Sequence, residues 1–263
     1  MISSNSYKEI TSILRDVSNQ ASKKILEIYN SNFKINFKDD NSPLTDADTE
    51  SNKIICDRLV KEFPKIPVIS EENKNKKLNT DTYFLLDPLD GTKEFIAKNG
   101  EFTVNIALIV KNEPKLGVIQ IPVKTTQYFS DGEFSYKYKN SLQKISSSKK
   151  NKKITLTVSR SHLDEKLKDF IRKSKKFEVR KAGSSLKFCL ISEGKADLYI
   201  RNGKTMGWDI AAGIAILKTA GGSICKLNFE KIKLNKETFV NDSFICFRNN
   251  FDLIELKSIL KEF

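Results

Sequence analysis

The stretch Leu85-Leu86-Asp87-Pro88-Leu89-Asp90-Gly91-Thr92-Lys93-Glu94-Phe95 constrains this chain most. Residues 83–86 are apolar or aromatic and read as a buried strand. That strand runs straight into two aspartates three apart. Carboxylates at the end of a buried strand are costly to desolvate unless something positive meets them. Pro88 stiffens the turn, so the two carboxylates and the carbonyl of Leu89 can converge on one point. Oxygen-only donors suit a hard cation such as magnesium. Gly91 lets the backbone turn sharply. Thr92 can then start a short helix whose free amides face the same point, where they would hold a phosphate. A metal site beside an anion site suits hydrolysis of a phosphate ester. Taken alone, the same residues also permit a turn with two solvated aspartates.

At 263 residues the chain is large for one core and comfortable for a bilobal domain or two fused subdomains. With 39% hydrophobic and 30% charged residues, it is expected to be soluble and globular. No apolar run approaches the roughly 20 residues that span a bilayer. The N-terminus, Met1-Ile2-Ser3-Ser4-Asn5-Ser6, lacks the parts of a signal peptide, which points to the cytoplasm. Cys56, Cys189, Cys225 and Cys246 are widely spaced in apolar contexts and read as reduced core thiols. A single histidine, His162, excludes a multi-histidine metal centre.

The balance of 46 basic against 33 acidic residues gives +13. This admits a nucleic-acid partner or an anionic substrate. The excess is mostly scattered lysine, concentrated at 73–77 and 144–153, with no interleaved aromatics and arginines. A lysine-biased composition explains it, with attraction of a small, multiply charged anion as a by-product.

Read in order, Ser6 and Glu9 form a candidate capping box. Apolar residues at helical spacing then predict a long helix to about Tyr29. Phe33, Ile35 and Phe37 alternate as a strand, Asp39 to Pro43 turn, and a second helix starts near Thr45 or Asp46. Residues 68–70 form a short strand ending at Glu71-Glu72. After the Asp87 strand, runs at 104–110, 116–121, 126–130 and 134–138 predict an antiparallel meander. Residues 140–153 read as a linker. The remainder alternates strand and helix: 154–158, 163–174, 177–180, 184–193 opened by a serine cap, 196–201, 209–220, short strands near 224 and at 244–247, and a last helix from Phe251. The expectation is an α+β, layered αβαβα sandwich, with an antiparallel-sheet half at 1–150 and an α/β half at 151–263.

Four acids look placed to meet. Glu71 ends one strand, Asp87 and Asp90 end another, and Asp209 opens a helix after the only tryptophan, Trp208. Asp209 alone could equally be a cap. Asp46, beside Asp48 at the start of the second helix, reads as a cap. Strand-end acids from separate segments favour a metal site.

These residues carry a resemblance. Glu71-Glu72, Asp87-Pro88-Leu89-Asp90-Gly91-Thr92 and Trp208-Asp209-Ile210-Ala211-Ala212-Gly213 resemble the three signatures of the inositol monophosphatase superfamily, in its order and spacing. Lys93-Glu94-Phe95, residues 100–105, Ser159-Arg160-Ser161-His162 and Gly183-Ser184-Ser185-Leu186-Lys187-Phe188 are similar to its bacterial 3'(2'),5'-bisphosphate nucleotidase branch. That branch takes the 3'-phosphate from adenosine 3',5'-bisphosphate, a by-product of sulfate activation, leaving AMP.

The resemblance implies an inositol monophosphatase/fructose-1,6-bisphosphatase-like fold, two or three Mg2+ ions, lithium sensitivity and a small nucleotide substrate. It implies no nucleic acid, a monomer or homodimer, and a cytoplasmic place with peripheral membrane association as an option. It assigns Glu71, Asp87 and the carbonyl of Leu89 to one metal, and Asp87, Asp90 and Asp209 to a second. Glu71 and Thr92, with Asp48, would orient the attacking water. Gly91 and Thr92 would cradle the scissile phosphate. His162, Ser185, Lys187 and Arg201 would hold the second phosphate, with Glu71, Leu89 and Asp209 also touching substrate. Ile200 and residues 202–207 depart from the branch's pattern around Arg201, where proline is expected at 200. An inositol or sugar phosphatase of the same fold is the alternative enzyme. A basic nucleic-acid-binding protein on an inactive phosphatase fold is the alternative of another class.

Overall fold

Alternation along the central strands sorts the chain into layers. The computed structural model describes residues 4–38, 41–73, 78–234 and 237–263. The expected turn residues Asp39 and Asp40, the loop residues 74–77 and the first three residues lie outside the described ones.

The first half opens with α1 (Ser4–Tyr29), then β1 (Ile35–Phe37), β2 (Pro43–Thr45), α2 (Asp46–Glu62) and β3 (Val68–Ser70). The chain continues through β4 (Tyr83–Asp90), α3 (Thr92–Ile96), β5 (Thr103–Val110), β6 (Glu113–Ile121), β7 (Thr126–Ser130), β8 (Ser135–Lys139) and β9 (Ser141–Ile145). β3 to β9 form a seven-stranded sheet in chain order, antiparallel except where β3 runs parallel to β4. The second half holds β10 (Ile154–Ser159), α4 (Glu165–Lys173), β11 (Phe177–Ala182), α5 (Leu186–Ser192), β12 (Leu198–Arg201) and β13 (Thr205–Met206). It ends with α6 (Gly207–Thr219), β14 (Ser223–Lys226), β15 (Val240–Asn241), β16 (Phe244–Phe247) and α7 (Leu253–Glu262). A five-stranded sheet has the order β11-β10-β12-β16-β14, its first three strands parallel.

Tyr83 and Leu85 of β4, with Ala107 and Ile109 of β5, face a core shared with α5 and α6. Phe84 and Leu86, with Ile106 and Leu108, face the other way onto α1 and α2. Both faces of β4 are therefore buried, which is why its sequence is continuously apolar. In β12, Tyr199 faces α6, whereas Leu198 and Ile200 face a third core with α4 and α7. The result is five layers: α1/α2, the seven-stranded sheet, α5/α6, the five-stranded sheet, and α4/α7.

α6 is buried on all sides, as its run of Ile, Ala, Gly and Leu requires. Its small residues set the approach distances. A Cβ on Gly117 of β6 would lie 2.3 Å from the carbonyl oxygen of Ala212, so the helix backbone rests directly on the sheet. A Cβ on Gly213 would lie 2.4 Å from Cγ of Phe188, so α5 rests on the other side.

Several elements differ from expectation. Residues 141–145, expected as linker, form β9, an exposed edge strand paired with β8 across a tight turn at Asn140. Its polar composition hid it, because an edge strand has no buried face to advertise. Ser6 lies inside α1 and is not its cap. The cap of α2 is Thr45, in a capping box with Asp48, and Asp46 is merely the first helical residue. The N-cap position of α5 is Ser185, but its hydroxyl makes no cap hydrogen bond. It is taken up by Asn105 and Thr103 on β5.

Candidate active site

The parallel pairing of β3 with β4 brings the first acids together. Ser70 lies opposite Leu86, so the next residues, Glu71 just past β3 and Asp87 still on β4, stand side by side. The register of β4 on β5 breaks between Asp87 and Asp90, which frees the Pro88-Leu89 segment to turn. Asp87 is buried, and its Oδ1 accepts from the amide of Leu89 at 3.0 Å. Asp209 comes from the first turn of α6 and accepts from the amide of Met206 at 2.8 Å. One oxygen each of Glu71, Asp87 and Asp209 falls within 4.8 Å of the others.

Burial, then the neighbouring carboxylates Glu71, Asp90 and Asp209, pushes Asp87 far above the usual carboxylate range. Burial, followed by Asp90, raises Asp209. Such a cluster is rich in negative charge, and its all-oxygen donor set fits a hard divalent cation. Asp90 points to one side of the trio. Its Oδ2 accepts from Nδ2 of Asn105 at 3.1 Å, and the backbone of Ser185 also bonds it.

Lys38, just past β1, reaches into this cage. Its ammonium donates to Glu71 at 2.9 Å and to Glu72 at 2.7 Å. Burial alone would lower its pKa, but the two carboxylates outweigh burial and hold it charged well above its ordinary range. Gly91 sits at φ +89°, a conformation that glycine adopts without strain, and turns the chain into α3. Thr92 follows, and its hydroxyl donates to Asp48 Oδ1 at 3.2 Å. Asp48 also accepts from the amide and hydroxyl of Thr45. Burial pushes Asp48 up to about 6 despite these bonds.

The opposite end of the cleft is cationic. Nζ of Lys93 lies 3.2 Å from Nε2 of His162. Arg201 donates to the carbonyls of His162 at 3.3 Å and Lys204 at 3.1 Å, while its Nε is buried without a hydrogen-bond partner among the described residues. Burial, then Lys93 and Arg201, lowers the pKa of His162. Lys187 is buried, with its ammonium donating to the carbonyls of Ala182 and Ser184. Burial lowers it to about 8, with Asp90 opposing. The turn before α5 is fixed from the sheet side. Glu101 accepts the amide of Gly183 at 2.7 Å and grips Arg160 through both oxygens at 2.7 and 2.8 Å.

One open cleft of about 440 Å³ is lined by Glu71, Asp87, Leu89, Asp90, Gly91, Thr92, His162, Ser185, Lys187, Arg201 and Asp209. Asp48 stands behind Thr92. Lys38 was not singled out from the sequence, and Lys93 and Asn105 stood inside quoted motifs without a role of their own. Lys38 carries no local signal, one lysine among many. Asn105 does: a side-chain amide inside the apolar run 104–110 of a central strand needs a polar partner.

An acidic cage facing a cationic pole across one cleft, on five layers, defines a phosphatase-like architecture, and the comparisons give it a family. The inositol monophosphatase family model matches residues 6–254, and this chain belongs to that family. The family's enzymes are metal-dependent, consistent with the acidic cluster. Within it, several curated relatives are named as one kind of enzyme. The 3'(2'),5'-bisphosphate nucleotidase CysQ of Buchnera aphidicola is 41% identical over 250 residues, covering 91% of this chain and 94% of that protein. The Escherichia coli K12 protein of the same name is 40% identical over 211 residues, covering 79% and 86%. The crystal structure of CysQ from Bacteroides thetaiotaomicron superposes with a TM-score of 0.78 at 36% identity, covering 93% and 98%. The Thermotoga maritima IMPase reaches 0.79 at 24% identity over 95% of each chain, which speaks to the fold alone. Among the described residues no helix is long and apolar enough to cross a membrane.

Proposed function

We propose that this chain is a Mg2+-dependent 3'(2'),5'-bisphosphate nucleotidase that hydrolyses adenosine 3',5'-bisphosphate to AMP and phosphate, serving sulfur assimilation and nucleotide recycling. The observation that carries the reading is the pairing, in one cleft, of the Glu71–Asp87–Asp209 trio with the Lys93–His162–Arg201 cluster. A substrate with two phosphates needs both poles, and the names of the relatives agree with it.

Glu71, Asp87, Asp90, Asp209 and the carbonyl of Leu89 would hold two or three Mg2+ ions. Those ions would screen the phosphate, acidify the attacking water and stabilise the leaving 3'-oxygen. The chain's own groups do the rest. The amides of Gly91 and Thr92 hold the scissile phosphate. Thr92 hands the proton of the water towards Asp48, whose carboxylate already accepts from its hydroxyl. A pKa of about 6 leaves Asp48 ionised at neutral pH and close enough to the working pH to take that proton. Glu71 orients the water from the other side. His162, Arg201 and Lys93 hold the 5'-phosphate, with Ser185 beside it on the turn that Lys187 props through Ala182 and Ser184. The setting is cytoplasmic, as a monomer or homodimer, with lithium as an inhibitor.

The test is purified protein with Mg2+ and a substrate panel. Adenosine 3',5'-bisphosphate is expected to be hydrolysed fastest, with AMP as product. Faster phosphate release from inositol 1-phosphate or fructose 1,6-bisphosphate overturns the assignment in favour of a sugar-type phosphatase. Arg201→Ala is expected to raise KM for the bisphosphate far more than for an inositol phosphate.

A further inference from the structure

Asn105 lies on β5 directly opposite Asp87, one residue pair from Thr103 opposite Asp90. It is buried, and every described polar contact of its side chain runs to the site. Nδ2 donates to Asp90 at 3.1 Å. Oδ1 accepts from the hydroxyl of Ser185 at 2.7 Å and from Thr103 at 3.1 Å. Thr103 in turn contacts the hydroxyls of Ser185 at 2.8 Å and Ser184 at 3.3 Å. One rigid amide thus joins an acid of the metal cage to the turn that opens α5. An amide has one donor end and one acceptor end, so its two partners fix its orientation together. Reversing it would set the carbonyl against the Asp90 carboxylate.

We propose that Asn105 is a positioning residue that couples the metal cage to the second-phosphate turn, so that filling either one favours filling the other. The proposal rests on the nucleotidase reading of the cleft. A phosphate held by His162, Arg201 and Lys93 against the turn orders that turn, and the hydroxyl of Ser185, whose one proton goes to Oδ1, then fixes the amide. The amide then presents Asp90 with its remaining lone pairs free for a cation. A cation on Asp90 acts along the same path in reverse, and the two effects are equal by linkage.

The test is calorimetric titration of the metal-free, full-length chain with Mn2+, with and without saturating AMP, which carries the 5'-phosphate. In the parent, AMP is expected to tighten Mn2+ binding by about fivefold or more. Asn105→Leu has nearly the same shape and neither polar end. It is expected to weaken Mn2+ binding about tenfold, as losing a residue that orients a metal ligand does, and to abolish the AMP effect. Asn105→Ser guards against misfolding. Its hydroxyl is too short to bridge Ser185 and Asp90, so the AMP effect is again lost while the melting temperature stays near that of the parent. An AMP effect retained in either folded variant, or absent from the parent, overturns the coupling. Hydrolysis of the bisphosphate by the parent is measured alongside, and its failure overturns the nucleotidase reading separately.

Discussion

An ammonium held between Glu71 and Glu72 changes what metal removal does to this protein. Lys38 and its two partners are mostly shielded, with side-chain exposures of 15%, 26% and 14%. The ion pair is therefore stronger than a surface pair, yet still partly screened. Lys38→Met is expected to lower the stability of the metal-free chain by about 1 kcal/mol. With saturating Mg2+ the difference should shrink towards zero, because the metal supplies the missing charge. Thermal melts in chelator and in Mg2+ check this, and an equal loss under both conditions would assign Lys38 a purely structural role. At this scale the sequence is legible where chemistry coincides with an element's end. Glu71 and Asp87 follow buried strand runs, and Asp209 follows Trp208 at a helix start. Lys38 is illegible, because only the folded β1–β2 segment carries it to the cage.

Among elements, α6 decides how tightly the layers close. Gly213 has Phe188 against it, and Phe188 is backed by Tyr199 and Phe244 at ring distances of 5.6 and 6.1 Å. Gly213→Ala is expected to destabilise by about 1–3 kcal/mol through overpacking. Because Asp209 stands one turn earlier on the same helix, kcat should fall with it. Urea unfolding and steady-state kinetics measure both, and a near-neutral result would mean that α5 can retreat from α6. The small residues behind Asp209 are visible in the sequence as a sign of close packing, but not what packs there. Ser185 shows the reverse. Its place before a helix predicts a cap, and only the fold reveals that Asn105 and Thr103 take its hydroxyl. A local rule lost to a partner some 80 residues away in sequence.

Across the whole molecule, the buried carboxyls make stability depend on pH. Asp48, Asp87, Asp90 and Asp209 all have folded pKa values above those of the unfolded chain. From about pH 4 upward the unfolded chain has lost protons that the folded chain still holds, so rising pH favours unfolding. The window runs through about 6 for Asp48 and Asp90 and about 8 for Asp209. The metal-free protein should therefore melt at lower temperature at pH 7.5 than at pH 5.5, by about 2–4 °C for each kcal/mol lost. Mg2+ should flatten the profile, since it takes the place of those protons. Near pH 8 the trend should level, because Lys187 has then lost a proton that the unfolded chain keeps. A metal-free profile that rises from pH 5.5 to 7.5 would refute the buried-acid account. The layer order itself is legible: continuous apolar strands announce sheets covered on both faces, and the amphipathic α1 announces an outer layer.

The exposed strand β9 has a consequence for handling the protein. It ends the seven-stranded sheet, and all but its last residue is exposed, Leu142 at 56%. Such an edge is a template on which another chain can add a strand. Lys144 stands on it and Lys139 ends the neighbouring β8, and the +13 net charge keeps copies apart in dilute buffer. Salt shortens the range of that repulsion to about 8 Å at 0.15 M. Concentrated stocks should therefore stay clear at low ionic strength and aggregate first as salt is added, starting from β9.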